Sequence, residues 1–201
     1  MRSRIEACGG SDVVLVGVAK TFGVDAIEQA LEAGLRDIGE SYAQELRDKL
    51  DQFADDARPR WHFVGGLQRN KVRHLAGRVH LWQSVDRAAL VDELVRRDPG
   101  AAILVQVNST GEAQKSGCAP AEVDGLVARA TAGGLDVQGL MTIGHLDDVD
   151  ATGRAFALTR RLCDELGLRH CSMGMSADLE QAVEAGSTMV RVGRDIFGPR
   201  T

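Results

Sequence analysis

Short runs rich in β-branched and other apolar residues alternate with longer stretches whose apolar residues recur near i, i+3 and i+4, and the alternation continues along nearly the whole chain. The short runs predict strands over 13–19, 37–40, 61–64, 81–85, 102–107, 137–143, 170–173 and 189–192. The longer stretches predict helices over 25–33, 43–53, 68–75, 87–97, 120–132, 150–166 and 177–185. Helix follows strand each time, the signature of βαβ units around a parallel sheet. Two of the strands, VVLVGVA and AILVQV, are nearly continuous apolar runs, as expected where a parallel strand is packed on both faces. The pattern predicts an α/β fold, a single closed (β/α)8 barrel of the TIM type, with 1–201 forming one domain. An open doubly wound sheet also alternates, but it announces itself with GxGxxG after an early strand, and VAKTFGVD has none.

A chain of 201 residues with 44% hydrophobic residues supplies one sizeable core, and at that length the barrel's loops must be short. The 29 acidic and 24 basic residues are scattered without long same-sign runs, so neither a nucleic-acid nor a membrane-surface partner is expected. No stretch approaches the roughly 18 uninterrupted apolar residues of a membrane span, and the N-terminus MRSRIEACGGSD lacks an apolar leader core. Cys8, Cys118, Cys163 and Cys171 are far apart and show no CxxC spacing, which fits reduced thiols. The expectation is a soluble, unprocessed cytoplasmic chain.

Active sites of such barrels are assembled at the C-terminal ends of the strands. Lys20 ends the first, where desolvation would lower the ammonium pKa and expose the neutral amine that imine formation needs; a lysine whose stem packs and whose head reaches solvent is the alternative. The last two strand ends carry SMGMSAD and VRVGRDIFG, suited to the phosphate site that barrels often build from the loops after strands seven and eight. Gly174 and Gly193 allow close backbone approach, while Ser172 and Ser176 offer hydroxyls; Ser176 is equally an N-cap for the next helix. Arg191 sits within the eighth strand and points either into the barrel or outward between helices, toward a ligand or a structural carboxylate. Glu40, Ser41, His62, Asn70, Asn108 and Lys115 also lie near strand ends, although His62, between Trp61 and Phe63, reads more readily as a hydrogen-bonded core histidine. No HExxH, EF-hand, zinc spacing, GxSxG or GxxxxGKT is present, so metal and nucleophilic-serine chemistry have no support.

VGVAKT, GESYAQEL, WHFVGGLQRNK, VNSTGEAQKSG, GLMTI and SMGMSADLEQAVEAGSTMVRVGRDIFG, in this order, resemble the pyridoxal phosphate homeostasis protein family, stand-alone relatives of the alanine racemase N-terminal barrel. The resemblance covers almost the whole chain. It implies pyridoxal 5′-phosphate as cofactor, Lys20 as its Schiff-base lysine, Ser172, Gly193 and Arg194 at phosphate-binding positions with Ser176 in the same loop, and Arg191 facing the pyridine nitrogen. The chain also departs from the family pattern. Ser41 stands where asparagine is common, and Arg194 where threonine or serine is usual. Relatives usually carry an N-terminal helix, whereas only 12 residues precede the first predicted strand here, so the barrel bottom is bare or the true start lies upstream.

An arginine against the pyridine nitrogen tends to leave it unprotonated, which weakens the ring as an electron sink. Tyr42 is the chain's only tyrosine, and a second acid/base is not evident. The implied role is a non-catalytic carrier in vitamin B6 homeostasis that passes its cofactor to dependent apoenzymes, with a monomer expected. A small pyridoxal-phosphate-dependent amino acid racemase is the alternative, and a Schiff-base aldolase on a phosphorylated sugar a third reading.

Overall fold

The computed structural model describes residues 1–199; the last two positions of the expected 1–201 domain lie outside them. The chain runs α1 (Arg2–Ala7), β1 (Val14–Val18), α2 (Val24–Glu32), β2 (Asp37–Glu40), α3 (Ala43–Gln52), β3 (Arg60–Phe63) and α4 (Arg69–Val72). It continues through β4 (Leu81–Val85), α5 (Ala88–Arg97), β5 (Ala102–Gln106), a 3-10 turn at Pro120–Glu122, α6 (Val123–Ala132) and β6 (Asp136–Met141). It closes with α7 (Val149–Glu165), β7 (His170–Ser172), α8 (Leu179–Glu184), β8 (Met189–Val192) and α9 (Arg194–Phe197). Each strand pairs in parallel with the next and β8 returns to β1, with Val16 opposite Arg191, which gives the closed eight-stranded barrel that the pattern predicts.

Both faces of the sheet are buried, and that is why its strands read as apolar runs. Outside, Ile38, Trp61, Phe63, Trp82, Ile103 and Val105 meet the apolar faces of the helices, among them Ile27, Leu46, Leu90 and Phe156. Inside, Val16, Leu81, Leu104, Met141 and Met189 form a separate cluster. The strands alternate between the two, so the inward positions include Asp37, His62, Gln83, Ser172 and Arg191, all buried. No helix among the described residues is long and apolar enough to cross a membrane.

Two departures from the sequence pattern have local causes. The helix expected over 68–75 holds only for Arg69–Val72, after which His74 and Leu75 bond to carbonyls three residues back, a tighter winding that unrolls the helix. The residues ahead of β1, expected to leave the barrel bottom bare or to mark a late start, form α1. Its Ile5 is buried against Val13, Leu179, Val183 and Val190, and the helix lies along α8.

Candidate functional site

The C-terminal ends of the strands open onto a cavity of about 510 Å³. Lys20, the residue that leaves β1 two positions after its last strand residue, lines it and is half-buried. The turn that follows is tight: Phe22 N–H donates to the Ala19 carbonyl at 3.1 Å, and Thr21 adopts φ 72°, a left-handed conformation costly for a branched residue. The Thr21 N–H donates to the Glu45 carboxylate at 2.8 Å, so α3 holds the turn that presents Lys20. Ser41, just past β2, lines the same cavity, and the chain after β3 crosses it closely. A Cβ on Gly65 would lie 2.1 Å from the Ser41 carbonyl oxygen, so only glycine fits there.

Beside the end of β1 the loops after β7 and β8 supply Ser176, Gly193 and Arg194. Gly174 has φ 98°, and a Cβ there would sit 2.5 Å from the Ala182 side chain, which lets the SMGMS segment fold tightly onto α8. The Met175 N–H donates to Asp178 Oδ1 at 2.6 Å and closes the turn. Asp178 occupies the N-cap of α8, so Ser176 does not cap; it faces the cavity instead. Gly193 caps α9, whose first turn carries the unsatisfied N–H donors of any helix start.

Arg191 points into the barrel. It lines the cavity, and its guanidinium donates from Nη1 to Ser172 Oγ at 2.7 Å and from Nη2 to the Thr142 carbonyl at 2.8 Å. Among the described residues no carboxylate lies within ion-pair distance of it, so the structural ion pair left open by the sequence is not what holds it. Burial pushes its pKa down to about 10, against the nearby Asp178 charge, so it is still a cation at neutral pH. Among the described residues, those lining the cavity include three cationic side chains, Lys20, Arg191 and Arg194, and no carboxylate. Such a lining favours an anion, and with the lysine, an anion that also carries an amine-reactive carbonyl.

Of the candidates from the sequence, Lys20, Ser41, Ser176, Arg191, Gly193 and Arg194 meet at this cavity, and Ser172 does not. Its side chain is fully buried, its hydroxyl accepts from Arg191 and donates to Gln83 Oε1 at 2.7 Å, so it supports the arginine rather than facing a phosphate. The strand period is the reason: Ser172 lies on an inward position of β7, below the rim. Glu40 turns outward and pairs with the buried Lys49 of α3, whose Nζ also donates to the Ala19 carbonyl at 2.9 Å. His62 is a core histidine, bonded to Asp37 at 3.0 Å and Gln83 at 2.8 Å. Asn108 and Lys115 line a second cavity of about 350 Å³ that shares Lys20 and Ser41 with the first, while Asn70 lies in α4 and lines neither.

The sequence reading missed several contributors. Val18, Phe22, Val64, Ile143 and Met175 wall the larger cavity, and apolar residues in an apolar chain give no signal. Arg4 of α1 was also missed. Its guanidinium donates to Glu180 at 2.8 Å, to Asp195 at 2.9 Å and to the Ser176 carbonyl at 3.2 Å, bracing both anion-facing loops. Gln83 left a trace that alternation would have caught: it is an inward polar residue in the otherwise mostly apolar LWQSV.

The family described as alanine racemase, N-terminal domain, matches residues 3–201. The pyridoxal phosphate homeostasis protein of Pseudomonas aeruginosa is 40% identical over 210 residues, covering 100% of this chain and 91% of that protein. Its namesake in Vibrio cholerae is 38% identical over 218 residues, with 100% and 92% covered. The structure of PipY from Synechococcus elongatus with PLP bound superposes with a TM-score of 0.86 at 30% identity, over 98% of this chain and 99% of PipY. With relatives of one name matched over 91% and 92% of their own length and the same barrel in PipY, the chain belongs to the pyridoxal phosphate homeostasis protein family, within the alanine racemase N-terminal domain group.

Proposed function

We propose that the chain binds pyridoxal 5′-phosphate in the larger cavity as a Schiff base on Lys20 and acts as a carrier in vitamin B6 homeostasis. When bound, the cofactor supplies an amine-reactive aldehyde, an electron-withdrawing ring and a phosphate anchor. The observation that carries the reading is the lining itself: one lysine on a braced turn beside Ser176, Gly193 and Arg194, with Arg191 below and no carboxylate among the described lining residues. PipY with PLP bound and the names of the curated relatives support the same cofactor. Ser176, Gly193 and Arg194 would take the phosphate, Arg191 the ring nitrogen, and Ser41 the rim above the ring. Handover to dependent apoenzymes, from a monomer in the cytoplasm, completes the proposal; the four unbridged cysteines suit a reducing compartment.

Carrier rather than catalyst is favoured by the guanidinium partner, which does not protonate the ring nitrogen as a carboxylic acid would. One observation favours the racemase alternative: Tyr42, 54% exposed, lines the smaller cavity beside Lys20 and is a phenol near the reacting amine. Incubating the loaded protein with each enantiomer of alanine and serine in deuterated water separates the two. The carrier reading predicts α-proton exchange no faster than free cofactor gives, and steady exchange at about 1 per second or above, the lower end of ordinary turnover, would make it an enzyme.

A further inference from the structure

Five buried side chains on five strands are joined through the barrel interior. Arg191 Nη1–H donates to Ser172 Oγ at 2.7 Å, and the Ser172 hydroxyl donates to Gln83 Oε1 at 2.7 Å. Gln83 Nε2 lies 2.8 Å from His62 Nδ1, and His62 Nε2 lies 3.0 Å from Asp37 Oδ1. Asp37 opens β2 and pairs with Arg60, which opens β3, so the series runs from the N-terminal end of the barrel up to the cavity.

The ends of the series dictate its direction. A guanidinium only donates, so Ser172 must accept from it and spend its single proton on Gln83. The Gln83 carbonyl is then occupied, its amide N–H faces His62 Nδ1, and the imidazole is left as the neutral tautomer protonated on Nε2. An ionised carboxylate only accepts, and Asp37 closes the series in that role. The competing arrangement, a flipped Gln83 amide beside a charged His62, would give up the Ser172 bond to Gln83 Oε1. A polar series with both ends fixed holds its members more rigidly than separate pairs do, and here it ends on a buried cation that lines the cavity.

We propose that Asp37, His62, Gln83 and Ser172 are positioning residues for Arg191, a one-way hydrogen-bond relay that fixes the plane of the guanidinium and aims its remaining N–H groups at the ligand. The relay fixes Ser172 on one Nη, the Thr142 carbonyl fixes the other, and the group cannot rotate toward a different acceptor. The consequence for the ligand rests on the reading above, in which Arg191 meets the ring nitrogen of pyridoxal 5′-phosphate. Asp37 then influences that ring from the far end of the barrel without touching it.

Two measurements test this separately from the cofactor assignment. In uniformly labelled full-length protein without added cofactor, nitrogen NMR of the imidazoles should find His62 neutral and protonated on Nε2, with Ser172→Ala disturbing the His62 signals and Ser172→Thr restoring them. A charged His62, or one protonated on Nδ1, overturns the relay whatever the ligand is. With added pyridoxal 5′-phosphate, Asp37→Asn should shift the absorption band of the bound cofactor and weaken binding by about three- to tenfold with Arg191 present, and do neither in an Arg191→Lys background. Equal effects in both backgrounds with an unmoved band would make Asp37 a stabilising residue only, and the positioning role fails. Absence of any cofactor band in the unsubstituted protein sinks the cofactor reading instead, leaving the tautomer result to decide the relay.

Discussion

Asp37 shows how one side chain ties packing to solution behaviour. Burial by itself pushes its carboxyl up, but the hydrogen bonds from His62 and Arg60 and the charge of Arg60 outweigh that and hold it below the usual carboxylate range. A carboxyl lower in the folded than in the unfolded chain stabilises the fold above its unfolded pKa, and the contribution is lost as pH falls through the folded value. Asp37→Asn should therefore cost about 1–3 kcal/mol at neutral pH, since it removes a charged acceptor from a buried series, and little at about pH 2. Denaturant melts at the two pH values check this; an equal loss at both would mean that the carboxylate charge contributes nothing. Thr21 is the opposite case, a residue whose backbone is costly where it stands and is held there by Glu45 because it directs Lys20.

The barrel's helices and strands divide the labour between support and contact. Strand existence was legible because both faces of each strand are buried, and β2, β4 and β8 fall on the predicted limits of 37–40, 81–85 and 189–192. The cluster of Lys20, Ser176, Arg191, Gly193 and Arg194 was legible for a second reason, since a closed parallel barrel brings every strand end to one rim. What stayed hidden depended on which side of a strand a residue occupies or on contacts distant in sequence. Ser172 and Ser176 look alike in SMGMS, yet one lies inside β7 and the other beyond it. Arg4 gave no signal, because its partners Glu180 and Asp195 are more than 170 residues away. From this bracing, Arg4→Ala should leave the barrel folded but weaken pyridoxal 5′-phosphate binding about tenfold, the effect expected when charge-assisted bonds that order a loop are lost. Arg4→Lys should recover part of it. Unchanged affinity in a spectroscopic titration of Arg4→Ala would show that α1 leaves the anion loops alone.

Taken as a whole, the molecule is a sheet with apolar packing outside, a polar relay within and its reactive groups at one rim. Its cysteines follow that plan: Cys118, Cys163 and Cys171 are buried, while Cys8, at the end of α1, is half-buried. Burial pushes the Cys118 thiol up to about 11, and contact with Cys163, then burial, pushes Cys171 up. Alkylation of the native protein near neutral pH should modify Cys8 first and reach the other three only on unfolding; rapid modification of Cys118 would contradict the packing around it. The central claim is that the rim holds pyridoxal 5′-phosphate on Lys20, and the most direct measurement is borohydride reduction of the protein loaded with it, followed by peptide mapping by mass spectrometry. The account predicts one reduced pyridoxyl adduct, on Lys20, absent from Lys20→Ala. An adduct on Lys115, or label spread over surface lysines with Lys20 unmodified, would contradict it.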